Sequence, residues 1–368
     1  MQLLEYFYDL SIKNDFFRQR KIQIRKDGSF MLYGARGTGK STLVIEYLQS
    51  LDEGSWIYID CQDPIFALED IDSDMLDDFI EEESIQTVIL DHYYDGFLDT
   101  MPQCQQLGVV SRKKCALGLT HTIELYPLDY EEFLSFERGM SAESSFNHFL
   151  KVGTLPIVAH NNLHAFTIYM RNFFYASFDD DESRLMLVLA RYQGHRVTTH
   201  QIYNHAKEYF RISKDWVYKT IQNFTEEGLI LFVDDIDIKG AKKMILYDFA
   251  LSKYLSKSQP FPVTFDAIIV LALAKHRIAF QAIGNHGYII NNNELIVPSA
   301  FQSQENFWQK AYNKIHIYKK YDIRKVSIVS VSNQYQFSLN DIEFEAMPFY
   351  EWSILNEIPE DIGERLCL

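Results

Sequence analysis

Cysteine is scarce. Cys61, Cys104, Cys115 and Cys367 stand far apart in 368 residues and form no C-x-x-C pair. That excludes a disulfide-stapled scaffold and fits reduced thiols in a cytosolic protein. The histidines contain no H-E-x-x-H; His160 and His164 are four apart, but Asn161, Asn162 and Leu163 between them add nothing catalytic, so no metal centre is expected there. Long apolar runs are also missing. The strongest, Ala267 to Ala274, is closed by Asp266 and Lys275, well short of the roughly 20 residues that cross a bilayer. With Glu5 and Asp9 early and no basic segment, the N-terminus is not expected to be a signal peptide. Positive charge is in short supply, 35 Lys and Arg against 51 Asp and Glu, for a net charge of −16. The deficit is uneven: residues 1–150 hold 12 basic and 27 acidic side chains, residues 151–368 hold 23 and 24. So acidic a first region is a poor grip for a phosphate backbone. Hydrophobic residues at 47% and aromatics at 15% supply packed cores for two or three domains and exclude wholesale disorder.

What is present is decided early in the chain. Gly34-Ala35-Arg36-Gly37-Thr38-Gly39-Lys40-Ser41-Thr42 fits G-x-x-x-x-G-K-[ST] in full. Four residues of strand character, Phe30 to Tyr33, precede it, and Leu43 to Leu48 follow with helical apolar spacing. In that setting glycines let backbone N–H groups turn toward an anion, and the helix N-terminus adds its positive end. The pattern is a Walker A phosphate-binding loop. Lys40 is expected at the β/γ-phosphates of ATP and the Ser41 hydroxyl on Mg²⁺. Further along, Trp56 to Asp60 reads as a buried strand ending in an acid, and Glu69 to Glu83 as a solvent-facing acidic helix. Thr87-Val88-Ile89-Leu90-Asp91 reads as a buried parallel strand whose terminal Asp91 would hold Mg²⁺. Gly108 to Ser111 reads as a strand placing Ser111 near the γ-phosphate; Arg112, Lys113 and Lys114 follow, as phosphate sensors or as a solvated turn. The basic cluster Arg18, Arg20, Lys21, Arg25 and Lys26 is read as a solvated helix face, with contact to a partner or to the nucleotide as the alternative.

After these motifs, Ile123-Glu124-Leu125-Tyr126-Pro127-Leu128-Asp129-Tyr130-Glu131-Glu132-Phe133-Leu134 resembles the L-x-P-L-[ST/D]-[FY]-x-E-F signature of a large prokaryotic group of AAA+-like P-loop ATPases. Phe149-Leu150-Lys151-Val152-Gly153-Thr154-Leu155-Pro156 is similar to the F-L-x-x-G-x-[LF]-P that follows it there. The group comprises archaeal and bacterial ATPases with a winged helix and a restriction-endonuclease-like C-terminal domain. The resemblance implies an α/β P-loop NTPase with a parallel sheet, then a helical and winged-helix region, then an α/β endonuclease-like domain. The corresponding boundaries are 1–140, 141–258 and 259–368. Two departures matter. The group follows its Walker B aspartate with a water-activating glutamate, and here that position is His92, with Asp95 as an alternative base. A Gly-Arg pair of the group is replaced by Gly118-Leu119.

In the middle region, Ser141 to Phe178 reads as helical. Arg184 to Tyr192, Thr199 to Phe210 and Ser213 to Glu227 read as three helices, and Leu229 to Val233 and Lys243 to Tyr247 as a two-stranded wing. The outward face of the third helix carries Ser213, Lys214, Asp215, Tyr218, Lys219, Gln222, Asn223 and Glu226, mixed in sign. Residues 180–258 hold 12 basic and 11 acidic side chains, so no strong basic footprint for DNA exists and a protein-contact or interdomain role is favoured. The last region reads helix, three strands, helix, strand (265–276, 278–283, 287–291, 294–299, 305–321, 325–331), an order similar to the PD-(D/E)xK nuclease core. Where that core needs metal-binding acids and an acid-x-Lys, this chain has Asn291, Asn292 and Asn293, then Val297-Pro298-Ser299-Ala300. A degenerate, non-cleaving domain is expected. The combined reading is a cytoplasmic Mg²⁺-dependent ATPase with slow turnover, acting as a nucleotide-controlled conformational switch. Its alternative is a DNA-binding or DNA-processing ATPase using the winged helix, and a nucleotide-dependent oligomer stays open.

Overall fold

The computed structural model describes residues 2–10, 12, 18–136, 141–159, 165–256, 259–291 and 293–355. His160, His164, Asn292 and Cys367 lie outside the described residues. The chain divides into two compact units, the first taking Met1–Pro127, Leu155–Ile157 and Glu226–Leu229. Its elements are α1 (Gln2–Tyr8), β1 (Phe30–Tyr33), α2 (Lys40–Leu48), β2 (Trp56–Asp60), α3 (Ser73–Glu82), β3 (Thr87–Asp91), β4 (Gln106–Ser111) and β5 (His121–Glu124). The strands lie in the order β2-β3-β4-β1-β5, and every pairing is parallel. This architecture fits a P-loop NTPase core.

Parallel strands must be covered on both faces, which is why β3 and β4 are buried along their whole length. Side chains alternate between two cores. Val88 and Leu90 join Ile57, Ile59, Leu107 and Val109 beneath Leu4 and Phe7 of α1 and Leu76, Phe79 and Ile80 of α3. Ile89 points the other way, with Phe30, Leu32 and Val110, against Leu43, Val44, Tyr47 and Leu48 of α2. Each fully buried aliphatic or aromatic side chain contributes roughly 1.5–3 kcal/mol relative to exposure. Because all strands run the same way, the ends of β1, β3 and β4 reach one edge of the sheet.

The second unit takes Leu128–Thr154, Val158–Thr225 and the chain from Ile230 onward. Through the middle of the chain run α4 (Tyr130–Phe136), α5 (Ala142–Val152), α6 (Pro156–Ala159), α7 (Phe166–Ser177), α8 (Asp180–Ala190), β6 (Arg196–Val197), α9 (Thr199–Tyr209), α10 (Lys214–Glu226), β7 (Ile230–Val233), β8 (Lys242–Leu246) and α11 (Phe249–Ser256). The helix expected across 141–178 is interrupted. Gly153 has φ +82°, and a Cβ there would lie 2.5 Å from an Asp248 carboxylate oxygen. Only glycine fits that approach. The Thr154 backbone N–H and hydroxyl each donate to Asp248 at 2.6 Å. The second half of the sequence signature is therefore a lock on a fully buried carboxylate. Its first half is another: Asp129 and Glu132 cap α4 reciprocally, and Lys275 lies 3.0 Å from Asp129 and also pairs with Glu132.

Helices α8, α9 and α10 accompany an antiparallel sheet in the order β6-β8-β7, whose β6 lies between α8 and α9 and is one strand more than the expected wing. Along α10, Val217, Ile221 and Phe224 are buried, as the i, i+4, i+7 spacing requires. The remaining elements are α12 (Phe261–Lys275), β9 (Phe280–Ala282), β10 (Tyr288–Ile290), β11 (Glu294–Pro298), α13 (Gln304–Lys320), β12 (Lys325–Ser330), β13 (Tyr335–Leu339), β14 (Ile342–Pro348) and α14 (Phe349–Leu355). They build a six-stranded mixed sheet, β13-β14-β12-β11-β10-β9, in which β11 and β12 are parallel. Two strands, β13 and β14, extend it beyond the expected elements. Asn291 falls outside β10, in a turn at φ +46°, rather than on the strand expected over 287–291.

Candidate functional site

The glycine-rich loop leaves the end of β1 and runs directly into α2, which begins at Lys40. Gly34 has to be glycine, since a Cβ there would sit 2.2 Å from the Leu125 carbonyl oxygen, beyond the end of β5. The loop is braced from within and from outside. The Thr38 hydroxyl donates to Ala35 O at 2.9 Å. Arg20 donates to Thr38 O and to Tyr126 O, both at 2.8 Å. Arg20 is thus buried against the loop and is not on a solvated helix face, because α1 ends at Tyr8. Ala35 is buried, Gly37, Gly39 and Ser41 are half-buried, and Thr42 is exposed.

Lys40 is one of two buried cations in the loop. Its Nζ donates to Gly34 O at 2.8 Å and to Ala35 O at 2.9 Å. Burial pushes it from the ordinary 10.5 down to about 8, against the attraction of Asp91 and Glu227 and with the repulsion of Arg112 and Arg36. Arg36 is also buried. It forms a two-pronged pair with Glu227, Nε to Oε2 at 2.9 Å and Nη2 to Oε1 at 3.2 Å.

Asp91 is fully buried at the end of β3. Its Oδ2 accepts from the Tyr58 hydroxyl at 2.6 Å and its Oδ1 from the His92 backbone N–H at 2.7 Å. Burial and the neighbouring Asp91 raise the Tyr58 hydroxyl far above its usual range, so it stays a donor. Parallel pairing sets Asp60 of β2 beside Asp91. His92 has φ +54°, and its Nδ1 lies 2.8 Å from Asp60 Oδ1. A carboxylate only accepts, so Nδ1 carries the proton. That hydrogen bond raises the imidazole above its ordinary value, against burial. Burial pushes the Asp60 carboxyl up, but hydrogen bonds from His92 and the Gln62 amide outweigh it and hold it low.

Of the other expected residues, Ser111 is buried at the end of β4 with its hydroxyl donating to Lys113 O. Lys113 pairs with Glu226 at 3.3 Å, and Arg112 lies within electrostatic reach of Lys40. Asp95 is exposed. Four residues at the site escape motif reading: Arg20, Tyr58, Asp60 and Glu227. For Asp60 a signal existed, an acid ending the strand before the Asp91 strand. Glu227 has none, because it is 191 positions from Arg36.

The chain matches no family model and no curated protein. Among solved structures it is similar to a Walker-type ATPase of Pyrococcus abyssi, at 13% identity over 61% of this chain and 90% of that one, with a TM-score of 0.39. It is also similar to a signal transduction ATPase with numerous domains (STAND) carrying a tetratricopeptide-repeat sensor, from Pyrococcus horikoshii. There the identity is 14% over 68% of this chain and 43% of that one, with a TM-score of 0.28. These two are ATPases. A third likeness is to the Drosophila origin recognition complex bound to AT-rich DNA and Cdc6, at 15% identity over 59% of this chain and 81% of that one, with a TM-score of 0.18. No described helix is long and apolar enough to cross a membrane.

Proposed function

We propose that this chain binds Mg·ATP at Gly34–Thr42 and hydrolyses it slowly, as a nucleotide-controlled conformational switch. One observation carries the reading: a glycine-rich loop opens into a helix N-terminus at the C-terminal edge of a parallel sheet, with buried Lys40 in electrostatic reach of Asp91. Two loop carbonyls hold the Lys40 ammonium, and phosphate oxygens are stronger acceptors for it. The Ser41 hydroxyl and the Asp91 carboxylate are hard oxygen donors that suit Mg²⁺. Among the described residues no group of three His, Cys, Asp or Glu forms a metal cage. That is compatible with an ion that keeps waters and substrate oxygens as its remaining ligands. When bound, Mg²⁺ neutralises phosphate charge.

His92 supplies the base. Asp60 fixes its tautomer and orientation through Nδ1, leaving Nε2 as the ring atom that takes a water proton. A raised imidazole spends more of its time protonated near neutral pH, which favours slow turnover. Nothing on α10 favours duplex DNA, since its exposed face mixes Lys214 and Lys219 with Asp215 and Glu226, and Glu226 is already paired with Lys113. The C-terminal sheet is read as non-cleaving. Glu294 accepts from Ser327 at 2.7 Å and lies 3.6 Å from Lys325, and Pro298 and Ser299, at and just past the end of β11, offer no carboxylate for a metal. The test is thermal unfolding with and without Mg·ATP. Wild-type protein is expected to be stabilised and Lys40→Ala not.

A further inference from the structure

Arg36 lies in the phosphate loop, two residues past Gly34, yet its guanidinium is already engaged by a carboxylate. The partner, Glu227, comes from Glu226–Leu229, the stretch from the last residue of α10 to the start of β7, which belongs to the nucleotide-binding unit. The pair is two-pronged and largely buried, with side chains 6% and 10% exposed. A second ion pair, Glu226 with Lys113, ties the same stretch to the segment after β4. Glu227 also lies close enough to Lys40 to act on its charge. A carboxylate therefore stands in the field of two loop cations that phosphate oxygens would seek.

We propose that Glu227 is a built-in anionic competitor for the phosphate loop, so that polyphosphate binding and the Arg36–Glu227 pair oppose each other and the segment Glu226–Leu229 loosens when nucleotide binds. The proposal rests on the nucleotide-binding reading above and names how that site is regulated. A guanidinium holds a carboxylate and a phosphate through the same paired N–H donors, so the two compete for one fork. Buried charges are weakly screened, so the negative charge of a nucleotide arriving at Lys40 repels Glu227 and draws Arg36 away from it. Linkage makes the effect reciprocal: if nucleotide weakens the pair, removing the carboxylate charge strengthens nucleotide binding by the same factor.

The experiment uses the full chain and a non-hydrolysable ATP analogue with Mg²⁺. Isothermal titration compares wild type, Glu227→Gln, Arg36→Gln and the double variant, and hydrogen exchange follows residues 226–229 in wild type. Glu227→Gln is expected to bind on the order of tenfold more tightly, within the usual range of coupling. Most of that gain should vanish when Arg36 is also Gln. Exchange at 226–229 should rise with analogue in the wild-type protein, a readout that requires no variant to fold. Unchanged or weaker binding by folded Glu227→Gln overturns the proposal while leaving the nucleotide reading intact. So does an equal gain with and without Arg36, or unaltered exchange at 226–229 upon binding. No analogue binding by any of the four proteins overturns both.

Discussion

Replacing Lys40 with alanine separates a binding lysine from a structural one. The ammonium is buried, and burial holds it at about 8 against the ordinary 10.5. That gap is a cost to the folded state of roughly 3 kcal/mol when the group is charged. Alanine removes the cost, but it also removes three methylenes at about 0.8 kcal/mol each. The two nearly cancel, so without nucleotide the variant should unfold within a few degrees of wild type. With Mg·ATP at a hundred times Kd, wild type should gain about 2.7 kcal/mol, or roughly 10 °C for a unit of this size, and Lys40→Ala nothing. The sign with pH follows from the depressed value. Between about 8 and 10.5 the unfolded chain still holds the Lys40 proton while the folded one has released it, so wild type should gain stability relative to the variant as pH rises through that window. Differential scanning fluorimetry across pH, with and without nucleotide, reads all three. A large loss of stability in the nucleotide-free variant would make Lys40 a structural residue, and equal stabilisation of both proteins by Mg·ATP would refute the loop assignment.

Steady-state ATPase measurements should give a low kcat in wild type and a higher one in His92→Glu. Asp60→Asn should lower kcat with little change in KM, since among the described residues the Asp60 carboxylate hydrogen-bonds with His92 and the Gln62 amide, and Asp60→Glu should restore part of the rate. A wild-type rate matching efficient motor ATPases would contradict the slow-switch reading. Asp248→Ala should cost about 2–4 kcal/mol in chemical denaturation, because the Thr154 N–H, the Thr154 hydroxyl and the Leu251 N–H would lose a buried acceptor together. Incubation with linear, supercoiled and single-stranded DNA plus Mg²⁺ or Mn²⁺ should yield no cleavage. Cleavage that survives purification and disappears in Glu294→Ala would overturn that reading.

The sequence by itself determined the elements whose physics is local. The loop Gly34–Thr42, the buried runs of β1 and β3, and the helix α10 with Val217, Ile221 and Phe224 on one face follow from spacing and composition within a dozen neighbouring residues. So did the order of the elements from α12 to β12. Tertiary structure decided what depends on residues far apart in the chain. Strand order alone sets Asp60 beside Asp91 and thereby gives His92 a carboxylate partner. Beyond the local cap that Glu132 shares with Asp129, the signature positions Glu132 and Thr154 find the partners Lys275 and Asp248, 143 and 94 positions away. Arg20 left the solvated face expected of a basic cluster because two backbone carbonyls, Thr38 and Tyr126, needed a buried donor. Glu227 reads as one more acid at a helix end. Only the folded chain brings it to Arg36, because a charge pair is a property of distance in space and sequence records distance along the chain.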